Sequence, residues 1–138
     1  MANATRFAVA GPTESPIPTR CTSHPVQRFN DIIENIGRIE RFTASMDLHG
    51  FAESEQTVLA VKYSLLIISE AAIKLGDVAA DLCPGLPWRD IRGLGNRLRH
   101  DYESIDIVRI WLLLARDLPP LKIACLAALR GLEASGSS

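Results

Sequence analysis

Apolar residues recur at steps of three and four along most of this chain, and this helical spacing limits its fold more than any other feature. The first stripe comprises Val26, Phe29, Ile32, Ile33, Ile36, Ile39 and Phe42. No segment shows the strict alternation of apolar and polar residues that is typical of a half-buried strand. The pattern therefore predicts an all-α protein, a bundle of four to five helices.

Prolines, glycines and capping residues divide this pattern into predicted helices. The predicted helices cover 25–46, 54–82, 88–99, 106–118 and 121–132. Proline is tolerated in the first turn of a helix, so Pro25 suits the start of the first one. Ser104 or Asp106 suits the N-cap of the fourth. The second helix carries apolar residues on nearly all sides, which is typical of a central helix or of one that also contacts a partner subunit.

The chain has the length of one domain, and its two ends differ from the rest in composition. Its 138 residues begin with a segment, 1–23, that contains Pro12, Pro16 and Pro18. We expect this segment to be a flexible tail, residues 24–133 to form the helical domain, and residues 134–138 to be frayed.

Charge and cysteine content exclude several classes of protein. Lys and Arg number 15 and Asp and Glu 16, so a strongly basic nucleic-acid-coating protein is excluded, although a local basic patch is not. No apolar run approaches the ~20 residues that span a bilayer. Three widely spaced cysteines without a C-x-x-C motif argue against a disulfide framework or a zinc site, and they favour reduced thiols in a cytoplasm. We expect no metal, no cofactor and no membrane partner.

One cluster of polar residues could carry chemistry. On a helix, Asn96 and Arg97 lie one turn before His100, and Arg92 lies two turns before it on roughly the same side. Histidine can pass protons near neutral pH, and arginine can hold a phosphate and stabilise charge on it. These groups could cleave RNA without a metal, but by spacing alone a solvated charged face, with His100 only ending the helix, is the more common explanation. Gly93 and Gly95, each costing about 1 kcal/mol in a helix, suggest close packing or ligand approach, although a loop would also explain them.

Several motifs resemble one family in the same order and spacing. They are P-W-R-D-I-R-G-L-G-N-R-L-R-H-D-Y at 87–102, I-S-E-A-A at 68–72, which resembles the signature I-G-E-A, and R-F-N-D-I-I at 28–33. With the residues that follow position 102, the resemblance covers roughly 25–130. By these motifs the chain resembles the DUF86 or HepT-like family of HEPN domains.

This resemblance implies a homodimeric helical bundle and a metal-independent endoribonuclease toxin. It also implies a partner, a minimal nucleotidyltransferase antitoxin that transfers AMP to a tyrosine and so blocks the RNA cleft. The family motif, usually R-N-x-x-x-H-x-Y, matches Asn96, the catalytic His100 and the modified Tyr102. Arg99 would add electrostatic attraction to RNA. Two copies of the histidine could share the roles of base and acid.

The motif arginine falls at position 95, where this chain has Gly95. Arg97 or Arg92 could supply the cation from another turn of the helix. Alternatively, the chain binds a nucleotidyltransferase or a nucleotide without cutting RNA, in which case an arginine restored at position 95 should raise activity. A third hypothesis is a plain dimeric scaffold with a basic surface.

Overall fold

Seven α-helices and no strand make up the part of the chain that the computed structural model describes. This part comprises residues 17–100 and 106–137, with side chains over 25–99 and 106–135. The helices are α1 Ile17–Phe42, α2 Leu48–Glu53, α3 Glu55–Leu75, α4 Asp77–Leu82, α5 Trp88–His100, α6 Ile107–Arg116 and α7 Leu118–Ser137. The predicted all-α fold is confirmed, and the helix count exceeds four to five because two short helices were not predicted.

Helix α3 is the centre of the fold. It packs against α1 on one side and α5 on another, while α7 packs on α1, and α6 packs on α7 and α2. The predicted stripe of α1 faces this core, with Phe29, Ile32, Ile36 and Ile39 buried. Phe51 of α2 is also buried, and its ring lies 5.1 Å from that of Trp111 of α6. Burial of these side chains contributes to the hydrophobic stabilisation of the fold.

Helix α1 begins earlier than the sequence predicted. It starts at Ile17, so Pro25 lies inside it, and Pro18 occupies its first turn. A proline removes one hydrogen bond of the helix ladder, and at Pro25 the helix continues past that gap. The helix therefore includes residues 17–23 of the expected tail, and residues 1–16 lie outside the described residues.

The predicted second helix, 54–82, is divided by a glycine. Gly76 has a φ of 57°, which ends α3 at Leu75 and lets α4 start at Asp77. This left-handed conformation favours glycine, and it turns the chain where an uninterrupted helix was expected. The predicted turn at 47–50 is instead the start of α2, because the Asp47 side chain accepts a hydrogen bond from the Gly50 amide.

The boundaries around the polar cluster agree better with prediction. Helix α5 covers the predicted segment and ends at His100. Asp106 caps α6, because its carboxylate accepts a hydrogen bond from the Val108 amide, while Ser104 lies outside the described residues. Helix α7 starts at Leu118 rather than at 121, since Pro119 and Pro120 fit its first turn. It also runs to Ser137, through residues that were expected to be frayed.

Two cysteines lie in the interior, as buried thiols. Cys83 and Cys125 are free and buried, and Cys83 Sγ donates a hydrogen bond to the carbonyl of Ala124 over 3.4 Å. Trp88 Nε1 donates to the Cys83 carbonyl over 2.9 Å, which fixes the segment that leads into α5. Among the described helices, none is both long enough and apolar enough to cross a membrane.

Candidate functional site on helix α5

Helix α5 has one buried face and one exposed face. Leu94 and Leu98 are buried against the core, while Asn96 and Arg97 are exposed. At 100° per residue, Asn96 and the position of His100 lie on the side of the helix opposite the two leucines. The amphipathic pattern of α5 therefore directs its polar cluster away from the domain's own core.

A close contact between α5 and α3 sets the orientation of this helix. Ser69 of α3 is fully buried, and its hydroxyl accepts a hydrogen bond from the Gly95 amide over 3.0 Å. The same hydroxyl donates to the Arg92 carbonyl over 2.8 Å. A Cβ atom at position 95 would lie 2.7 Å from Ser69 Oγ, so α5 can come this close only without a side chain there. Of the alternatives open at the glycines, close packing is confirmed for Gly95.

Gly93 differs from Gly95, although it lies in the same helix two residues earlier. A Cβ atom at Gly93 would have no neighbour within 4 Å. Close packing inside the described domain therefore does not explain Gly93.

The departure from the family motif at position 95 has a structural counterpart. An arginine there would start 2.7 Å from Ser69 Oγ and 3.2 Å from Leu66 Cδ1. The expectation that a restored arginine would raise activity stays a prediction, and because position 95 faces α3, such an arginine would have to displace Ser69 or Leu66. Ser69 occupies the position of the glycine in the signature I-G-E-A. Compared with the motifs that the chain resembles, it has a larger residue at position 69 of α3 and a smaller one at the facing position 95 of α5.

The structure brings some predicted site residues together on α5 and leaves others undescribed. Asn96 and Arg97 are adjacent and exposed, and His100 is the final residue of the helix, one turn further on. The His100 side chain and the whole of Tyr102 lie outside the described residues. Arg92 is half-buried and one turn before Asn96. The roles assigned to these residues remain predictions.

Arg99 is engaged with α3. Its guanidinium lies 2.9 Å from Glu70 Oε2, and 43% of the Arg99 side chain and 44% of the Glu70 side chain are exposed. Glu70 belongs to the signature segment at 68–72. The positive charge that was expected to attract RNA is therefore partly neutralised, while the pair joins the exposed faces of α3 and α5.

The exposed face of α3 carries three large apolar side chains. Leu59, Tyr63 and Ile73 are 56%, 65% and 44% exposed, and helical spacing places them on the same side as Glu70. Isolated exposed apolar residues are normal, but a row of them on the central helix confirms that α3 is apolar on both sides. Through Glu70 and Arg99, this surface continues into the polar cluster of α5.

A cleft between α5 and α6 was not predicted. Its volume is about 900 Å³, and the buried or half-buried apolar side chains that line it, here called its floor, include Ile68, Leu94, Ile110 and Leu113. The exposed charged side chains that line the cleft, here called its edge, are Asp90, Arg97, Asp106, Arg109, Arg116 and Asp117. The sequence shows the charged residues of α6 and its ends, but only the folded structure shows that they face α5 across a cleft. Among the described residues, no three His, Cys, Asp or Glu side chains are grouped as metal ligands would be.

Comparisons with known proteins agree with the motifs. Residues 32–128 match the family model described as "Ribonuclease HepT-like". A protein of Methanocaldococcus jannaschii named "Putative RNase MJ1380" is 32% identical over 92 residues, which are 67% of this chain and 84% of that protein. "Probable ribonuclease HepT" of Thermococcus cleftensis is 34% identical over 94 residues, 68% of this chain and 86% of that protein. No solved structure matches the chain.

Proposed function

Because this chain belongs to the HepT-like ribonuclease family of HEPN domains, we propose that it is an endoribonuclease that cuts RNA without a metal ion. The observation that carries the proposal is the exposed face of α5. It presents Asn96 and Arg97 to solvent one turn before His100, while Leu94, Gly95 and Leu98 fix the helix to α3. A base, a hydrogen-bond donor and a cation are the groups that cleavage beside a 2′-hydroxyl requires.

The proposed reaction begins at the 2′-hydroxyl of the substrate. His100 takes its proton, the 2′-oxygen attacks the adjacent phosphorus, and the bond from phosphorus to the 5′-oxygen breaks. The leaving 5′-oxygen receives a proton from an acid, and the products are a 2′,3′-cyclic phosphate and a free 5′-hydroxyl. Arg97 stabilises the charge on the phosphate oxygens, with Arg92 one turn behind Asn96 as the second candidate. Asn96 positions the phosphate or the imidazole.

A homodimer would supply the acid as well as the base. One histidine cannot readily act on both sides of the phosphorus, whereas two copies of His100 across a two-fold axis can. The apolar face of α3, with Leu59, Tyr63 and Ile73, supports this arrangement, because it adjoins the α5 cluster through the pair of Glu70 and Arg99. We propose this face as the dimer interface.

The proposed regulator is a minimal nucleotidyltransferase that acts as an antitoxin. Transfer of AMP to Tyr102 would add bulk and negative charge two residues after His100, where RNA phosphate must bind. We place the toxin in the cytoplasm, where RNA is present and thiols such as those of Cys83 and Cys125 stay reduced. Intact-mass measurement after co-expression with a neighbouring nucleotidyltransferase tests this part, and no gain of mass on Tyr102 would reject it.

The test of the ribonuclease is cleavage of RNA by the purified protein with EDTA present. We expect products that end in 2′,3′-cyclic phosphate and their loss in His100→Ala, with unchanged helical circular dichroism. His49→Ala is the matched control, because His49 is exposed on α2, paired with Glu53 and absent from the cluster. Cleavage by His100→Ala at the wild-type rate would reject the assignment.

A second function is favoured by one observation. Position 95, where the family motif has an arginine, is a glycine that faces Ser69 of α3, so it supplies no cation to the polar cluster. If Arg97 does not replace it, the protein is a binding subunit that holds its nucleotidyltransferase or a nucleotide without cutting RNA. The absence of cleavage over a broad set of RNAs, with partner binding intact, would select this function.

A further inference from the structure

We propose that the cleft between α5 and α6 binds the nucleoside next to the phosphate that is cut, and that it prefers guanine. This inference rests on the proposed ribonuclease function and assigns a base specificity to it. The cleft holds about 900 Å³, which is within the range of small-molecule sites and ample for one nucleoside.

The floor and the edge of the cleft suit different parts of a nucleotide. The apolar side chains of Ile68, Leu94, Ile110 and Leu113 offer a surface against which the flat face of a base can be buried. Three carboxylates and three guanidiniums surround it. Within the described part of the chain, none of these six groups forms an ion pair, and the Asp106 carboxylate accepts a hydrogen bond from the Val108 amide.

The mixture of charges selects the kind of ligand. A site for phosphate alone would be weakened by Asp90, Asp106 and Asp117, and a purely apolar ligand would leave all six charges without partners. A nucleotide satisfies both signs, because its phosphate pairs with guanidinium and the N–H groups of its base donate to carboxylate.

The position of Arg97 connects the cleft with the reaction. Arg97 is at the edge of the cleft and directly follows Asn96 on α5. A phosphate held by these two residues therefore has the cleft beside it, on the side toward α6. The nucleoside attached to that phosphate can enter the cleft without leaving the reacting position.

Guanine fits the carboxylates best among the four bases. It offers two adjacent N–H donors, from N1 and the 2-amino group, to the two oxygens of one carboxylate. Uracil offers a single N–H between two carbonyl oxygens, which a carboxylate repels. The cleft should therefore favour guanosine over uridine.

Binding of mononucleotides to the full chain tests this proposal without any cleavage. We expect 5′-GMP to bind at least about tenfold more tightly than 5′-UMP, because guanine donates two hydrogen bonds to a charged carboxylate and uracil at most one. Amide shifts in NMR spectra should concentrate in α5 and α6. The variants Asp90→Asn, Asp106→Asn and Asp117→Asn each keep the shape of the side chain, and asparagine also caps a helix as Asp106 does. At least one should lose the preference for 5′-GMP.

Asp77→Asn is the matched control, since Asp77 is an exposed aspartate in the first turn of α4 and outside the cleft. Equal binding of the two nucleotides, or a preference that survives all three variants, overturns the proposal. The proposal is also overturned if no nucleotide binds because a second copy of the chain or a helix of a partner covers the cleft. RNA cleavage without 5′-GMP binding overturns the subsite alone, whereas specific 5′-GMP binding without cleavage overturns the ribonuclease.

Discussion

Ser69 and Gly95 fit each other across the contact between α3 and α5. The Gly95 amide donates to Ser69 Oγ over 3.0 Å, and the space that a side chain at position 95 would need is filled by that serine. Since Ser69 Oγ also bonds the Arg92 carbonyl, one buried hydroxyl holds two points of α5. This contact fixes which face of α5, and therefore which polar residues, point to solvent.

The two glycines of α5 should respond in opposite ways to the same substitution. Gly95→Ala should lower the free energy of unfolding by about 1–3 kcal/mol, because its methyl group would lie 2.7 Å from Ser69 Oγ. Gly93→Ala should raise it by about 0.5–1 kcal/mol, since open space surrounds that position and alanine favours helix. Urea unfolding of both variants measures the difference. Equal effects would show that α5 does not approach α3 as closely as described.

Ser69 and Gly95 should also be coupled in a double-mutant cycle. Gly95→Arg should be strongly destabilising, whereas Ser69→Gly removes two of the three atoms that the new side chain would meet. We therefore expect the double variant to be more stable than the sum of the single effects by about 1 kcal/mol or more. Denaturant unfolding of the four proteins gives the coupling free energy. Additive effects would mean that the arginine side chain at position 95 points away from Ser69 and does not contact it.

Much of the fold follows from local sequence signals. The stripe on α1, the extent of α5 and the cap at Asp106 depend on spacing and side-chain chemistry within one helix, so a single sequence reveals them. The break at Gly76 was missed because a single glycine amid strong helix formers does not show its φ of 57°. The sequence favours a helix start at Pro25, because proline is tolerated best in the first turn, whereas in the structure Pro25 lies inside α1.

The site was less predictable, since its key relations join residues that are distant in sequence. Gly95 meets Ser69 26 positions earlier, and Arg99 pairs with Glu70 29 positions earlier. The spacing along α5 grouped Asn96, Arg97 and His100, but it could not show that Arg99 has a partner. Nor could it show the cleft, which forms only when α6 is placed by its packing on α2 and α7.

Arg97 and Arg99 should contribute unequally to RNA cleavage. Arg97→Ala should lower kcat/KM by about 10²-fold if its guanidinium stabilises the transition state. Arg99→Ala should lower it less than about tenfold, because that charge already pairs with Glu70 over 2.9 Å. Single-turnover cleavage at two salt concentrations separates the chemical step from RNA binding. Equal losses in both variants would indicate general attraction to RNA.

Glu70→Gln provides the complementary experiment. It removes the partner of Arg99 and keeps the shape of the side chain, so we expect tighter RNA binding and a steeper dependence on salt. The chemical rate should stay the same. A loss of RNA binding in Glu70→Gln would show that the ion pair of Glu70 and Arg99 positions α5. It would also show that Glu70 does not weaken the attraction of Arg99 to RNA.

The apolar face of α3 should control the oligomeric state. Tyr63→Arg places a charge in the centre of the proposed interface, and we expect a monomer that no longer cleaves RNA. Ile123→Arg on α7 is the control, because Ile123 is similarly exposed, at 68% against 65% for Tyr63. Sedimentation analysis of both variants measures the mass. If Tyr63→Arg stays dimeric and Ile123→Arg becomes monomeric, the dimer interface lies on α7 and not on α3.

The buried thiols should make the fold less stable in alkali. Burial, together with a smaller contribution in the same direction from the neighbouring Cys83, raises the pKa of Cys125 from its ordinary value of 9.0 to about 12. Because only the unfolded chain readily loses this proton above pH 9, the native state binds more protons there. The stabilising contribution is complete below the unfolded pKa and is lost as the pH rises toward the folded one.

Comparison of the wild type with Cys125→Ala isolates this effect. Between pH 9 and the folded pKa, a single such thiol should cost about 1.4 kcal/mol of unfolding free energy per pH unit. The variant starts less stable, since it loses a buried sulfur, but its stability should fall less steeply with pH. Groups that do not interact with Cys125 titrate alike in both proteins and cancel in the difference, which therefore reports Cys125 and its interaction with Cys83. Parallel unfolding curves from about pH 8 to about pH 10.5 would mean that the Cys125 thiol is accessible to solvent in the native state.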